Sequence, residues 1–145
     1  KQMGISSTAF KNGEMIPAKY TCDGANVNPP LDIKDIPDET KCLVLIADDP
    51  DAPIGTWGHW VVWNIPVTHH IKENAVHGRE GINDFQEHHY GGPCPPSGIH
   101  RYFFKIYSLD ALLDLPANTK KLPLEKAMSD IITVAPRKII VKLIW

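Results

Sequence analysis

Clusters of proline and glycine divide the chain into short apolar segments, and this division limits the folds that the chain can adopt. The 145 residues include 13 prolines and 10 glycines. Three clusters stand out: PAKYTCDGANVNPP at 17–30, DDPDAPIG at 48–55 and GGPCPPSG at 91–98. Proline and glycine interrupt regular structure and favour turns. We therefore expect short strands joined by long connections, and function in small domains concentrates in such connections.

The segments between the clusters have the composition of β-strands. CLVLIA at 42–47 is continuously apolar, as expected for a strand covered on both faces. The segments 59–65 and 101–109 are rich in aromatic and β-branched residues. RKIIVKLIW at 137–145 predicts a final strand, with Lys138 and Lys142 at an edge or on the solvent face. In 101–109 the alternation places Tyr102, Phe104 and Ile106 on one face and Phe103, Lys105 and Tyr107 on the other.

Helical patterns are scarce. LPLEKAMSDII at 122–132 combines a proline suited to a first turn with an apolar stripe, and LDALLDL at 109–115 predicts a second short helix. No internal repeat or linker divides the chain. These features predict a single mostly β domain over 1–145, a β-sandwich with a few short peripheral helices.

Charge and hydropathy exclude several classes of function. The net charge of −2 gives no general attraction to nucleic acid or anionic membrane. No apolar run approaches the length of a membrane span, so no stable membrane insertion is expected. The sequence starts at Lys1, which leaves open that a start methionine or a leader precedes it; the expected location is cytoplasmic.

The three cysteines, Cys22, Cys42 and Cys94, cannot all pair within one chain, and they do not have the spacing of zinc ligands. Cys42 opens an apolar strand and is expected to be a buried thiol. We favour a reduced, intracellular protein. One disulfide with a spare thiol is the alternative.

Three carboxylates follow the apolar run directly: Asp48, Asp49 and Asp51. One interpretation is that they only terminate the strand, since Asp and Pro form turns. The following GTWGHW favours a second interpretation, because it places His59 where two adjacent strands would meet. Asp49 and His59 are then expected to face each other, and a carboxylate bonded to one ring nitrogen fixes the imidazole tautomer.

A second polar cluster lies in GGPCPPSGIHRYFFKIY at 91–107. His100 and Tyr102 are two residues apart and therefore point to the same side of their strand. Glycine permits close backbone approach, and unpaired loop amides can form an anion-binding nest. Imidazole, phenol and amide groups together suit a phosphate, sulfate or carboxylate.

These two segments resemble the signature regions of the phosphatidylethanolamine-binding protein family, also called Raf-kinase-inhibitor-like. YTCDGANVNPPL at 20–31 and GTWGHWVVWNIP resemble its bacterial and archaeal branch. The resemblance implies two antiparallel sheets with a few peripheral helices and a small anion pocket near one end of the sandwich. It also implies a cis peptide in the first signature, for which Ala52–Pro53 is the candidate.

Carried over residue by residue, the resemblance implies that the pocket acids are Asp49 and Asp51 and that the pocket histidines are His59 and His100. It further implies that Gly92 and Pro93 form a loop wall, that Tyr102 forms a polar wall, and that Trp57 and Pro53 form an apolar lining. Asp51 is alternatively an anchor of the turn through bonds to backbone or to Arg101. Cys94, between two loop prolines, departs from the family pattern. A further departure is that the sequence stops on a strand, where eukaryotic members have a covering C-terminal helix; a more open pocket is expected.

Other groupings of residues favour ordinary structural roles. The histidines in 68–90 have no strong metal-ligand spacing and are interpreted as exposed loop residues, so no metal and no cofactor are predicted. The aromatic residues of the strands lack a basic stripe around them, so base stacking and nucleic-acid binding are not expected. The histidines concerned are His69, His70, His77, His88 and His89.

The leading hypothesis is a non-enzymatic binding protein for a small anion or phosphorylated ligand. By resemblance, it would inhibit a serine protease or a kinase by docking. The alternative from another class is a weak hydrolase or transferase that uses Cys94 or Ser97 with His100. A third hypothesis is an interaction module with a vestigial pocket that acts through another surface, for example as a homodimer.

Overall fold

Two antiparallel β-sheets form the structure, a computed structural model that describes residues 2–94 and 98–144. The strands are β1 (Gly4–Ser6), β2 (Leu31–Lys34), β3 (Cys42–Asp49), β4 (Trp57–Ile65), β5 (His70–Ile71), β6 (Arg79–Glu80), β7 (Ile99–Leu109) and β8 (Arg137–Ile144). The smaller sheet has the order β1-β2-β5 and the larger β6-β4-β3-β7-β8. A 3₁₀ helix spans Ala18–Tyr20, and helix α1 spans Lys121–Met128. The predicted β class with few helices is confirmed.

The larger sheet is covered on both faces. All eight residues of β3 are buried, as its continuous apolar run predicts. Its even and odd positions contribute to two separate clusters, with Leu43 and Leu45 in the one between the sheets and Val44 and Ile46 in the one beneath α1. The predicted alternation in β7 is confirmed, since Phe104 enters the first cluster. β3 is therefore the fixed centre from which the site is built.

The last strand is the edge of the larger sheet, and both of its lysines, Lys138 and Lys142, are exposed as predicted. The segment before the 3₁₀ helix covers this edge in part, because Gly13 and Ile16 donate backbone hydrogen bonds to it. Across the described ranges, no helix combines the length and apolar character needed to cross a membrane.

The helix expected at 109–115 is absent. The side chain of Asn64 replaces the helical bonds: its Nδ2 donates to the Leu113 carbonyl (2.7 Å), and its Oδ1 accepts from the Leu113 amide (2.8 Å). Leu113 and Leu115 pack against the cluster beneath α1 from an irregular segment. The apolar residues of LDALLDL are thus used for packing without forming a helix.

Candidate functional site

A cavity of about 340 Å³ opens at one end of the larger sheet. β3 runs antiparallel to both of its neighbours, so its last residue lies beside the first residues of β4 and β7. Asp49 ends β3, Trp57 begins β4, and His100 is the second residue of β7. The lining consists of Asp49, Ala52, Pro53, Ile54, Trp57, His59, Phe85, Cys94, His100 and Tyr102.

The buried acid of this cavity is bonded to His100. Oδ2 of Asp49 lies 2.6 Å from His100 Nδ1, and the two residues are 4% and 7% exposed. Oδ1 of Asp49 accepts the Asp51 amide at 2.7 Å. An ionised Asp49 carboxylate only accepts hydrogen bonds, and with it Nδ1 of His100 is the donor of this pair. The imidazole of His100 is thereby held with Nε2 available to a ligand.

Asp49 and His59 line the same cavity, but the structure shows no hydrogen bond between these two described residues, since Asp49 bonds His100 instead. His59 Nδ1 lies 2.7 Å from the carbonyl oxygen of Gly91. A register shift in the β3–β4 pairing lies beside His59, between Ala47 and Asp48, and such irregularities change side-chain direction locally. A backbone carbonyl only accepts, so Nδ1 of His59 carries the proton.

The environment of His59 disfavours its charged form. The residue is 5% exposed and lies edge-on to the rings of Phe85 and Tyr102, with a distance of 5.4 Å between ring centroids in each case. Burial lowers the pKa of His59 below its ordinary value, against the opposing effects of the Gly91 bond and nearby carboxylates. In the neutral ring Nε2 has a lone pair and no proton, so it accepts hydrogen bonds.

Two hydrogen-bond donors of the lining are buried without a partner among the described residues: the Tyr102 hydroxyl and the Trp57 indole Nε1. Burial raises the pKa of Tyr102, which keeps its hydroxyl protonated and able to donate. A buried donor without an acceptor is costly, by about 1–3 kcal/mol. Such groups in a cavity wall are suited to a ligand that carries acceptor oxygens.

Asp51 lies outside the cavity, in an ion pair with Arg101. The Nη2–Oδ1 distance is 2.8 Å, and Nε and the backbone amide of Arg101 each donate to Oδ2 at 2.9 Å. These bonds hold the pKa of Asp51 down, at about 2. This geometry matches the alternative in which Asp51 anchors the turn. The Ala52–Pro53 bond is trans, so the predicted cis peptide is wrong; trans is the lower-energy form for such bonds.

Gly92 and Pro93 do not line the cavity; they hold the loop against the segment that follows the 3₁₀ helix. The Gly92 amide donates to Asn26 Oδ1 (2.8 Å), and the Pro93 carbonyl accepts the Cys22 amide (3.1 Å). A Cβ on Gly92 would collide with the Tyr20 carbonyl oxygen, so the close approach requires glycine. Since the Gly91 amide donates to the His59 carbonyl, the amides of both glycines are occupied, and the expected nest is not formed by them.

Cys22 and Cys94 form a disulfide with a Cα–Cα distance of 5.5 Å, and Cys42 is a buried thiol. The favoured interpretation of three reduced cysteines is therefore wrong, and the alternative of one disulfide with a spare thiol is confirmed. The bonded sulfur of Cys94 is not a nucleophilic thiol, which removes one half of the hydrolase hypothesis. Ser97, its other half, lies outside the described residues.

Sequence reasoning missed three lining residues, Ala52, Ile54 and Phe85. Phe85 packs edge-on to Trp57 and His59, but it comes from a polar segment that carried no signal. Ile54 is 90% exposed, and an isolated isoleucine within a Pro/Gly turn was a signal that could have been used. The five histidines of 68–90 are exposed, and the described part of the chain contains no cluster of three potential metal ligands.

The architecture and the cavity together define a class of small two-sheet β proteins with a His/Asp/Tyr pocket at one end of the larger sheet. Residues 6–137 match the family described as phosphatidylethanolamine-binding protein, and the chain belongs to this family. UPF0098 protein PH1269 of Pyrococcus horikoshii is 48% identical over 133 residues, which cover 84% of this chain and 67% of that protein. A UPF0098 protein of Methanothermobacter thermautotrophicus is 46% identical over 134 residues, 87% of this chain and 89% of the relative.

Solved structures give the same result. The phosphatidylethanolamine-binding protein homologue CT736 of Chlamydia trachomatis superimposes with a TM-score of 0.92 at 38% identity, over 97% of this chain and 96% of that one. YbcL of E. coli, described as a member of the mammalian PEBP family, gives 0.92 at 27% identity over 100% and 99%. The resemblance to the bacterial and archaeal branch is thereby confirmed.

Proposed function

We propose that the protein is a non-enzymatic binding protein whose pocket takes a small anion or a phosphoryl group. The observation that carries the proposal is the pair of buried donors, Tyr102 Oη and Trp57 Nε1, which have no partner in the described part of the protein. Oxygens of a bound anion would satisfy both. His100 faces the same cavity with Nε2 uncommitted and Asp49 behind it.

The lining supplies no permanent cation. Neither lysine nor arginine is among the described lining residues, so positive charge comes only from protonated histidine. When His100 is an imidazolium, its Nε2–H donates to the ligand while Asp49 balances its charge at Nδ1. The pocket is thus suited to weakly charged anions held mainly by hydrogen bonds.

Binding without chemistry is supported by the composition of the wall. Cys94 is in a disulfide, and the described lining contains no serine or threonine. The Tyr102 hydroxyl keeps its proton because burial raises its pKa, so it is a donor more than a nucleophile.

Titration of phosphate, phosphoethanolamine and acetate, followed by NMR, tests the proposal. We expect amide shifts at Asp49, His59 and Tyr102 that disappear in the His100→Ala variant. The matched control is His70→Ala, since His70 is exposed and its ring bonds Asp32 on the smaller sheet. Absence of shifts in the wild-type protein would contradict an anion pocket.

For the cellular role, we propose inhibition of a serine protease or a kinase that docks at the mouth of the pocket. Support comes from family membership and from Ile54, which is 90% exposed at the rim. A panel of serine proteases and kinases, assayed with wild-type protein and the Ile54→Asp variant, tests this role. Inhibition that survives the substitution unchanged would place docking on another surface.

A further inference from the structure

The two histidines of the pocket are not equivalent. His59 donates from Nδ1 to the Gly91 carbonyl at 2.7 Å, so the neutral ring has only an acceptor, Nε2, left for a ligand. No described residue donates to that nitrogen. Tyr102 and Trp57 line the same cavity, and each has a buried donor without a partner among the described residues. A ligand that is complementary to this wall must therefore both accept and donate hydrogen bonds.

Burial keeps His59 in the neutral form that makes Nε2 an acceptor. Its surroundings are aromatic rings and the Gly91 carbonyl. The charged groups that favour its protonation are three carboxylates, Asp48, Asp49 and Asp84, and their effect is smaller than that of desolvation. Asp48 is already bonded to Lys105, Asp49 to His100, and Asp84 to the Gly58 amide.

Asp49 gives a second reason why a ligand that fits the pocket should carry a proton. Both oxygens of Asp49 already accept hydrogen bonds, from His100 and from the Asp51 amide. If the anion had no proton, its oxygen lone pairs would face the lone pairs of Asp49 and of His59 Nε2, which is an unfavourable contact between acceptors. An anion that retains one O–H can direct that proton to His59 and its remaining oxygens to the donors.

We infer that the pocket selects anions that keep one acidic proton, above all the monoanion of a phosphate monoester, over anions of the same charge that have none. This inference rests on the proposed function, since it concerns the same site. In this inference His59 provides specificity, because its Nε2 accepts a hydrogen bond from the O–H of the ligand. Tyr102, Trp57 and His100 provide affinity.

Methyl phosphate and methyl sulfate form the matched test pair. At about pH 5.5 the phosphate monoester, whose second pKa is about 6, is mainly a monoanion with one O–H. Methyl sulfate has nearly the same shape and the same charge but no proton. Calorimetric titration of the intact protein with each should give a Kd about tenfold lower for methyl phosphate, because the unmatched lone pairs cost methyl sulfate the equivalent of one buried hydrogen bond.

Repeating both titrations at about pH 8 isolates the proton of the ligand. Methyl phosphate is then mainly a dianion, and its advantage should disappear. Methyl sulfate keeps one charge throughout, so any change in its affinity reports titration of the protein itself. A ¹⁵N NMR spectrum of the histidine side chains gives an independent readout, with His59 Nε2 expected to be unprotonated in the ligand-free protein at about pH 5.5.

The outcomes test the inference and the proposed anion pocket separately. A preference for methyl phosphate at the lower pH that is lost at the higher one supports the inference. Equal affinities, or tighter methyl sulfate, overturn the inference and leave an anion pocket in place. Failure of both compounds to bind overturns the anion pocket as well. A protonated His59 Nε2 in the ligand-free protein also overturns the inference, whatever the affinities.

Discussion

The hydroxyl of Tyr102 separates a ligand-binding role from a structural one. Tyr102→Phe removes a buried donor that has no described partner, so the free energy of unfolding should stay unchanged or rise by up to about 1 kcal/mol. Phosphate affinity should fall about tenfold. Tyr90→Phe is the control, since the Tyr90 hydroxyl donates to the Tyr20 carbonyl at 2.7 Å; it should cost about 1 kcal/mol of stability and leave affinity unchanged. Urea denaturation and calorimetry measure both quantities.

His59 gives stability a defined dependence on pH. Burial lowers its pKa in the folded protein, while an unfolded histidine has a pKa of about 6.5. As pH falls through that value the unfolded chain takes up the proton first, so the His59 contribution makes stability fall, by at most about 1.4 kcal/mol per pH unit. His59→Gln should flatten this decline between about pH 7 and 5 in denaturation measured at a series of pH values. An identical decline in the variant would contradict the assignment.

At the scale of elements, the disulfide holds the loop at 91–94 against the segment after the 3₁₀ helix. Its two cysteines are 72 residues apart, and closing a loop of that length in the unfolded chain is expected to stabilise the fold by about 2–4 kcal/mol. Reduction by dithiothreitol should therefore lower the Tm by roughly 10 °C. The Cys22→Ala/Cys94→Ala variant should show that lower Tm with and without reductant. A wild-type Tm that does not respond to reductant would contradict this contribution.

What the sequence could predict differs between local and tertiary features. The apolar run of β3 and the alternation in β7 determine strand and face, because burial follows directly from residue type and period. His100, Tyr102 and Trp57 were identifiable from short signatures. Phe85 was not, because its position depends on contacts with Trp57 and His59. The helix predicted at 109–115 is absent for a related reason: two hydrogen bonds between Leu113 and the side chain of Asn64, which is distant in sequence, outweigh a local preference.

At the scale of the whole molecule, the three carboxylates around the end of β3 are distributed among three basic residues of β7. On one face of the larger sheet Asp48 bonds Lys105 at 2.7 Å. On the other, Asp49 bonds His100 at 2.6 Å, and beyond the strand Asp51 bonds Arg101 at 2.8 Å. The acids thus join β3 to β7 at the end where the pocket opens. Only the Asp49–His100 pair faces the pocket, and the other two stiffen the elements that position it.

Because β3 is common to both hydrophobic clusters, a ligand at its end is expected to stabilise the fold as a unit. Phosphate at about 100 times its Kd should add about 2.7 kcal/mol to the free energy of unfolding, which raises the Tm by roughly 8 °C for a chain of this size. His100→Ala should abolish the shift, while His70→Ala should retain it, since His70 is remote in the fold, on the smaller sheet.

An equal shift in His100→Ala would locate phosphate elsewhere, for example at the exposed Lys138. Calorimetric scans of the three proteins, at matched ionic strength in sodium chloride, distinguish these results, because a non-specific salt effect would raise all three Tm values alike.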